Sequence, residues 1–162
     1  VTGVQTCALP ISWGVIHHSA DTAAAVGEIF RVLKPGGAAR VMIYHKYSFV
    51  GYMLWLHYAL MRLRPFTSLD YLYSHFLESP GTKAYSIPAA KTLFNRFEIN
   101  QIETVLTHGD LLDSSAGQRH RGWLLTTAKA IWPRFLIKRL FPGHGLFLLI
   151  AATKPKASSK PN

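Results

Sequence analysis

The stretch FRVLKPGG at 30–37 constrains this chain more than any other. Proline cannot continue a helix, and two successive glycines free the backbone for a tight reversal, so a helix must end here and the chain must turn back. Upstream, Val26, Ile29, Phe30 and Leu33 fall at i, i+3, i+4 and i+7 and make one apolar face. Asp21 is placed to cap the first turn, and Lys34 to meet the negative end of the helix dipole. Before the helix, an apolar run at 12–16 stops at His17, His18, Ser19 and Asp21, which reads as a buried strand entering a loop. After the turn, 39–44 is almost continuously apolar, as a parallel strand covered on both faces requires. The helix is long enough for a right-handed crossover, so the unit is predicted to be strand, helix, strand with the two strands parallel.

These residues resemble class I S-adenosylmethionine-dependent methyltransferases of the type 11 group. The likeness rests on Trp13-Gly14-Val15-Ile16-His17-His18 followed by Asp21, on FRVLKPGG, and on Val41-Met42-Ile43-Tyr44. They are similar to that family's fourth strand and its end, its helix-ending turn and its fifth strand. The resemblance implies an α/β fold: part of a Rossmann-like sheet, the last four strands with the final one antiparallel, helices on its faces and a helical lid. It also implies S-adenosylmethionine as cofactor, with Ser12, Trp13, Gly14 and His17 beside its sulfonium end.

In that family a Gly-rich loop follows the first strand and an acidic residue the second. No GxGxG pattern occurs in this sequence: Gly36-Gly37 ends a helix, and Gly143-His144-Gly145 precedes a strand. The chain therefore reads as the C-terminal half of a methyltransferase domain, expected by itself neither to methylate nor to hold the cofactor tightly. Residues 1–11 carry no initiating Met, no capped helix and no basic region leading into an apolar core, and read as a foreign segment rather than a signal peptide. A native extended strand ending at Pro10 is the alternative. Residues 12–153 form the domain, 46–85 a lid or insertion, and 154–162 a disordered basic tail.

Within the insertion, 47–63 reads as a helix rich in aromatics and leucine, flanked by Lys46, Arg62 and Arg64 and closed by Pro65. Its apolar span is shorter than the ~20 residues of a membrane crossing. Three roles stay open: a lid over the site, an amphipathic helix on an anionic membrane, or plain core packing. Farther on, 67–85 reads as loop with one short helix. Ser86 caps a helix with an apolar stripe of Ala90, Leu93, Phe94 and Phe97, and strands follow at 99–107 and 146–153. The last is apolar throughout, which suits an antiparallel strand inserted between its two predecessors. Residues 117–141 interleave basic with large apolar side chains, either a solvated basic face or a platform for a membrane or anionic substrate, with Pro133 dividing two helices.

Charge separates the function classes only coarsely. With 18 Lys and Arg against 8 Asp and Glu, the 162-residue chain carries a formal +10, which favours anionic surroundings. Nucleic acid is disfavoured because no nucleic-acid fold signature accompanies the charge. The single cysteine, Cys7, fits a reducing cytoplasm, with a membrane surface as the variant. The histidines show no HExxH and no zinc spacing, so no metal site is expected. His18 and His45 are the candidate catalytic bases, at the ends of the two parallel strands, and Tyr44 and Trp55 the candidate substrate pocket. The function expected of the longer protein is methyl transfer to a small-molecule or lipid-like acceptor. A non-catalytic membrane-binding or anion-binding module is the alternative. An unpaired edge on the first strand would favour adventitious dimers.

Overall fold

The structure, a computed structural model, describes residues 11–112 and 134–156. In chain order the elements are β1 (Ile11–Trp13), a 3-10 turn (Ile16–His18), α1 (Thr22–Val32), β2 (Ala38–His45), α2 (Phe49–Tyr58) and α3 (Leu69–Phe76). There follow β3 (Ala84–Tyr85), α4 (Ile87–Leu93), β4 (Glu98–Val105), α5 (Arg134–Leu140) and β5 (Phe147–Thr153). The sheet runs β1-β2-β5-β4. β1 and β2 are parallel, with Trp13 opposite Met42, and β5 lies antiparallel between β2 and β4. This is the open, mixed α/β sheet anticipated from the sequence.

The opening unit forms for the reasons its residues supply. The Asp21 carboxylate accepts from Ala24 N at 2.9 Å and caps α1. Val26 and Leu33 are buried, and Ile29 and Phe30 pack with them against Val41, Ile43, Leu148 and Ile150. The stripe of α4 joins the same core through Ala90, Leu93, Phe94 and Phe97, and Ser86 caps that helix by accepting from Ala89 N. Gly37 must be glycine, because an added Cβ would lie 2.8 Å from the Lys34 carbonyl oxygen. Alternation along β2 sends Val41 and Ile43 to this core and Met42 and Tyr44 to the other face, where Tyr73 and Leu146 meet them.

Four details differ from the sequence reading. β1 starts at Ile11, inside the stretch expected to be foreign, and ends at Trp13, because Gly14 takes φ 72° and turns the chain. The expected helix at 47–63 is shorter, Phe49–Tyr58, since Ser48 supplies the cap by accepting from Gly51 N. β3 was not anticipated; it pairs parallel with Tyr44 and His45, on the edge of β2 opposite β5. The tail is anchored at its start: Lys154 Nζ donates to the carbonyls of Phe30 and Leu33, satisfying the end of α1. Most of the basic stretch at 117–141 lies outside the described residues, as do Trp132, Pro133 and residues 157–162.

Candidate functional site at the ends of the parallel strands

All three parallel strands deliver their following loops to one end of the sheet, where open α/β sheets bind ligands. The 3-10 turn after β1 carries His17 and His18 there, and β2 carries Tyr44. The His17 ring lies 4.1 Å from the Tyr44 ring and 4.2 Å from that of His18, centroid to centroid. His17 is fully buried, and neither of its ring nitrogens has a hydrogen-bond partner among the described residues. Burial, reinforced by the neighbouring His18, lowers its pKa to about 4, so it is neutral near neutral pH.

His18 is held differently. Its Nδ1 is 3.1 Å from Ser79 Oγ and 3.2 Å from Thr82 Oγ1, and its Nε2 faces the Glu78 carboxylate at 3.7 Å. The turn that supplies these groups is fixed by its own bonds: Thr82 Oγ1 donates to the Ser79 carbonyl, and Lys83 N to that of His17. Lys83 Nζ further donates to the carbonyls of Ser19 and Ala20. Burial first, and then Glu78, pushes the Tyr44 phenol well above the ordinary tyrosine range. The result is a partly open group of an imidazole, a carboxylate and a phenol, built on a rigid turn.

Two expected members stand apart. His45 is adjacent to Tyr44 in the strand and therefore projects to the opposite face. Its Nδ1 lies 3.3 Å from the Gly145 carbonyl, and burial lowers its pKa, partly countered by that carbonyl. It is a satisfied core histidine rather than a second base in this group. Trp55 does not reach Tyr44; its Nε1 donates to the Pro65 carbonyl and its ring packs with Leu54, Ala59 and Leu72. Tyr44 packs instead with Tyr73 of α3, and His18 against the turn at 78–83. Sequence reasoning missed Glu78, Ser79 and Thr82. The only local signal was an acid entering a Ser-Pro-Gly turn, and what aims it at His18 is tertiary.

S-adenosylmethionine is the cofactor the fold family implies, and the residues present fit one wall of its site. Ser12 Oγ is buried with no partner among the described residues, and Gly14 turns away at positive φ where a Cβ would sit 3.2 Å from the Met42 methyl. Trp13 is 57% exposed and gives a flat apolar surface beside them. Among the described residues, no group of three or more His, Cys, Asp or Glu could hold a metal, and no helix is long and apolar enough to cross a membrane.

An open sheet with an antiparallel strand inserted beside parallel ones, and a site at the parallel strands' ends, is Rossmann-like. Comparison with known proteins makes this specific. Residues 6–41 match the family model described as "Methyltransferase domain", a match that covers the opening unit through the start of β2 and begins within residues 1–11. Among solved structures, an S-adenosylmethionine-dependent methyltransferase from Methanosarcina mazei is 16% identical, with a TM-score of 0.50, over 91% of this chain and 58% of that one. A chain of the complex between a methyltransferase activator and a methyltransferase from Haloferax volcanii is also 16% identical, with a TM-score of 0.50, over 93% and 54%. A further S-adenosylmethionine-dependent methyltransferase, from Thermotoga maritima, is 18% identical, with a TM-score of 0.47, over 89% and 54%. The chain thus spans about half the length of the structures it matches. No curated protein matches the sequence. The likeness to the two structures with a TM-score of 0.50 is one of fold, a Rossmann-like open sheet, and residues 6–41 are similar in sequence to the methyltransferase domain model.

Proposed function

We propose that the longer protein carrying these residues transfers a methyl group from S-adenosylmethionine to a small-molecule or lipid-like acceptor, and that His18 with Glu78 forms the proton-accepting side of the site. The observation that carries this reading is the His18–Glu78 pair, 3.7 Å apart at the ligand-binding end of a methyltransferase-type sheet. S-adenosylmethionine supplies the electrophilic methyl, and the protein's task is to align an acceptor atom and take up its proton. Ser79 and Thr82 fix the His18 ring through Nδ1, leaving Nε2 toward Glu78 and the opening. His18 and Glu78 side chains are 29% and 57% exposed, so an acceptor hydroxyl or amine can approach both. Ser12, Trp13 and Gly14 are assigned to the cofactor wall, while His17, expected beside the sulfonium, and Tyr44, expected in the acceptor pocket, are buried against each other and support the site from behind.

This chain by itself is expected to bind the cofactor weakly, because the sequence contains no Gly-rich loop to let backbone approach the methionine and ribose parts. The test is transfer of radiolabelled methyl by the longer protein. His18→Asn or Glu78→Gln should lower kcat by roughly a hundredfold, with KM for S-adenosylmethionine unchanged. Full activity in both variants would contradict the assignment.

A further inference from the structure

We propose that the connection between α2 and α3 is a rigid tip that inserts into anionic lipid bilayers, independently of methyl transfer. After Tyr58 the chain makes a 3-10 turn, Leu60–Arg62, and reverses at Leu63, whose φ of 56° lies in the left-handed region. Glycine or asparagine is the ordinary choice for such a reversal, because a larger side chain is strained there. This position instead carries a leucine that is 90% exposed, and Phe66 beyond it is 100% exposed. Leu56, Leu60 and Met61 are exposed as well. Leu63 and Phe66 bury almost no surface on the described residues, and an outlier of this kind points to a use elsewhere.

The tip is ordered by its own bonds rather than slack. Arg64 N donates to the Ala59 carbonyl at 2.8 Å, Thr67 Oγ1 to the Arg64 carbonyl at 2.9 Å, and Trp55 Nε1 to that of Pro65. Tyr58 stacks on Phe76 at 4.0 Å, tying the end of α2 to α3. A wedge that is already rigid loses little conformational entropy on insertion.

Charge selects the occupant. From Lys46 through Leu69 the sequence has no Asp or Glu, while Arg62 and Arg64 alternate with Met61, Leu63 and Phe66 in a chain of formal charge +10. Arg62 lies over the Tyr58 ring at 5.0 Å, so its guanidinium is held back against the end of α2. Leucine and phenylalanine entering the acyl region while both guanidinium groups remain at the phosphate level is the arrangement an interfacial segment adopts on acidic lipid.

Sedimentation of the purified chain with sucrose-loaded vesicles of phosphatidylcholine, with and without phosphatidylserine, tests this. The chain should pellet with the phosphatidylserine vesicles and lose that binding as salt rises. The Leu63→Asn/Phe66→Ser variant should bind at least about tenfold more weakly. Asparagine tolerates left-handed backbone and Phe66 is fully exposed among the described residues, so the variant should melt no lower than the parent. Arg62→Gln/Arg64→Gln, also at exposed positions, should lose the preference for phosphatidylserine and keeps the test open should the first variant fold poorly. Unchanged vesicle binding in both variants would overturn the proposal by assigning the binding to overall charge. So would the absence of binding by the parent chain, or an effect of the variants on self-association alone, which would mark the patch as a protein contact.

Discussion

His17 is buried against His18 and Tyr44, with neither ring nitrogen partnered among the described residues, so it resists protonation, and its pKa falls from 6.5 to about 4. Between those values the unfolded chain binds the proton that the folded chain refuses, so stability is complete above about pH 6.5 and falls as the pH drops toward 4. The full contribution is up to about 3 kcal/mol. His45, also lowered by burial, acts in the same direction, whereas Asp110, whose carboxyl burial raises, acts in the opposite one. His17→Phe keeps the ring stack and removes the titration, so urea denaturation across this window should show a shallower acid slope than the parent and equal or higher stability at pH 7. Asp110 shows the reverse of an unpaired group: its carboxylate accepts from Thr107 N and Oγ1, Val50 N and Leu146 N, tying the end of β4 to the starts of α2 and β5. Asp110→Ala should therefore cost about 2–4 kcal/mol in the same assay, because several buried donors lose their acceptor together.

Among the elements, what was legible in the sequence is what the chain states locally. Asp21 and Ser86 cap their helices, and the stripes at 26–33 and 90–97 face one core, because caps and periodicity depend on neighbours a few residues away. β3 escaped because a two-residue strand has no period to read. Glu78 escaped because only the folded turn brings it to His18. Alternation separates His45 from Tyr44, and the pairing of those two strand ends into one site overlooked it, whereas His17 and His18 sit in a 3-10 turn, where alternation does not apply and their rings meet at 4.2 Å. The close approach of β4 and β5 is a further tertiary fact: a Cβ at Gly145 would collide with the Val105 backbone. Gly145→Ala should accordingly lower stability by about 3 kcal/mol or more, seen as a lower melting temperature by circular dichroism. An unchanged melting temperature would mean that β5 enters the sheet differently.

For the whole molecule, the fold and its likeness to methyltransferases are legible in the opening unit, whereas Glu78, Ser79 and Thr82 reach His18 from far along the chain. Among the described residues β1 is an edge strand, with Ile11 63% and Val15 65% exposed beside the exposed Trp13. Such an apolar edge is a template for pairing with another chain. Size-exclusion chromatography should show self-association that weakens with dilution and with Ile11→Lys/Trp13→Lys, while an unaltered monomer at all concentrations would show the edge to be covered. The proposed function makes this sheet end one wall of a methyltransferase site, with acceptor-side chemistry at His18 and Glu78, and expects weak cofactor binding because the sequence has no GxGxG loop. Calorimetric titration of the purified chain with S-adenosylmethionine tests it most directly. No binding in the micromolar range is expected, and micromolar binding to a monodisperse monomer would show that the residues present hold the cofactor without a Gly-rich loop.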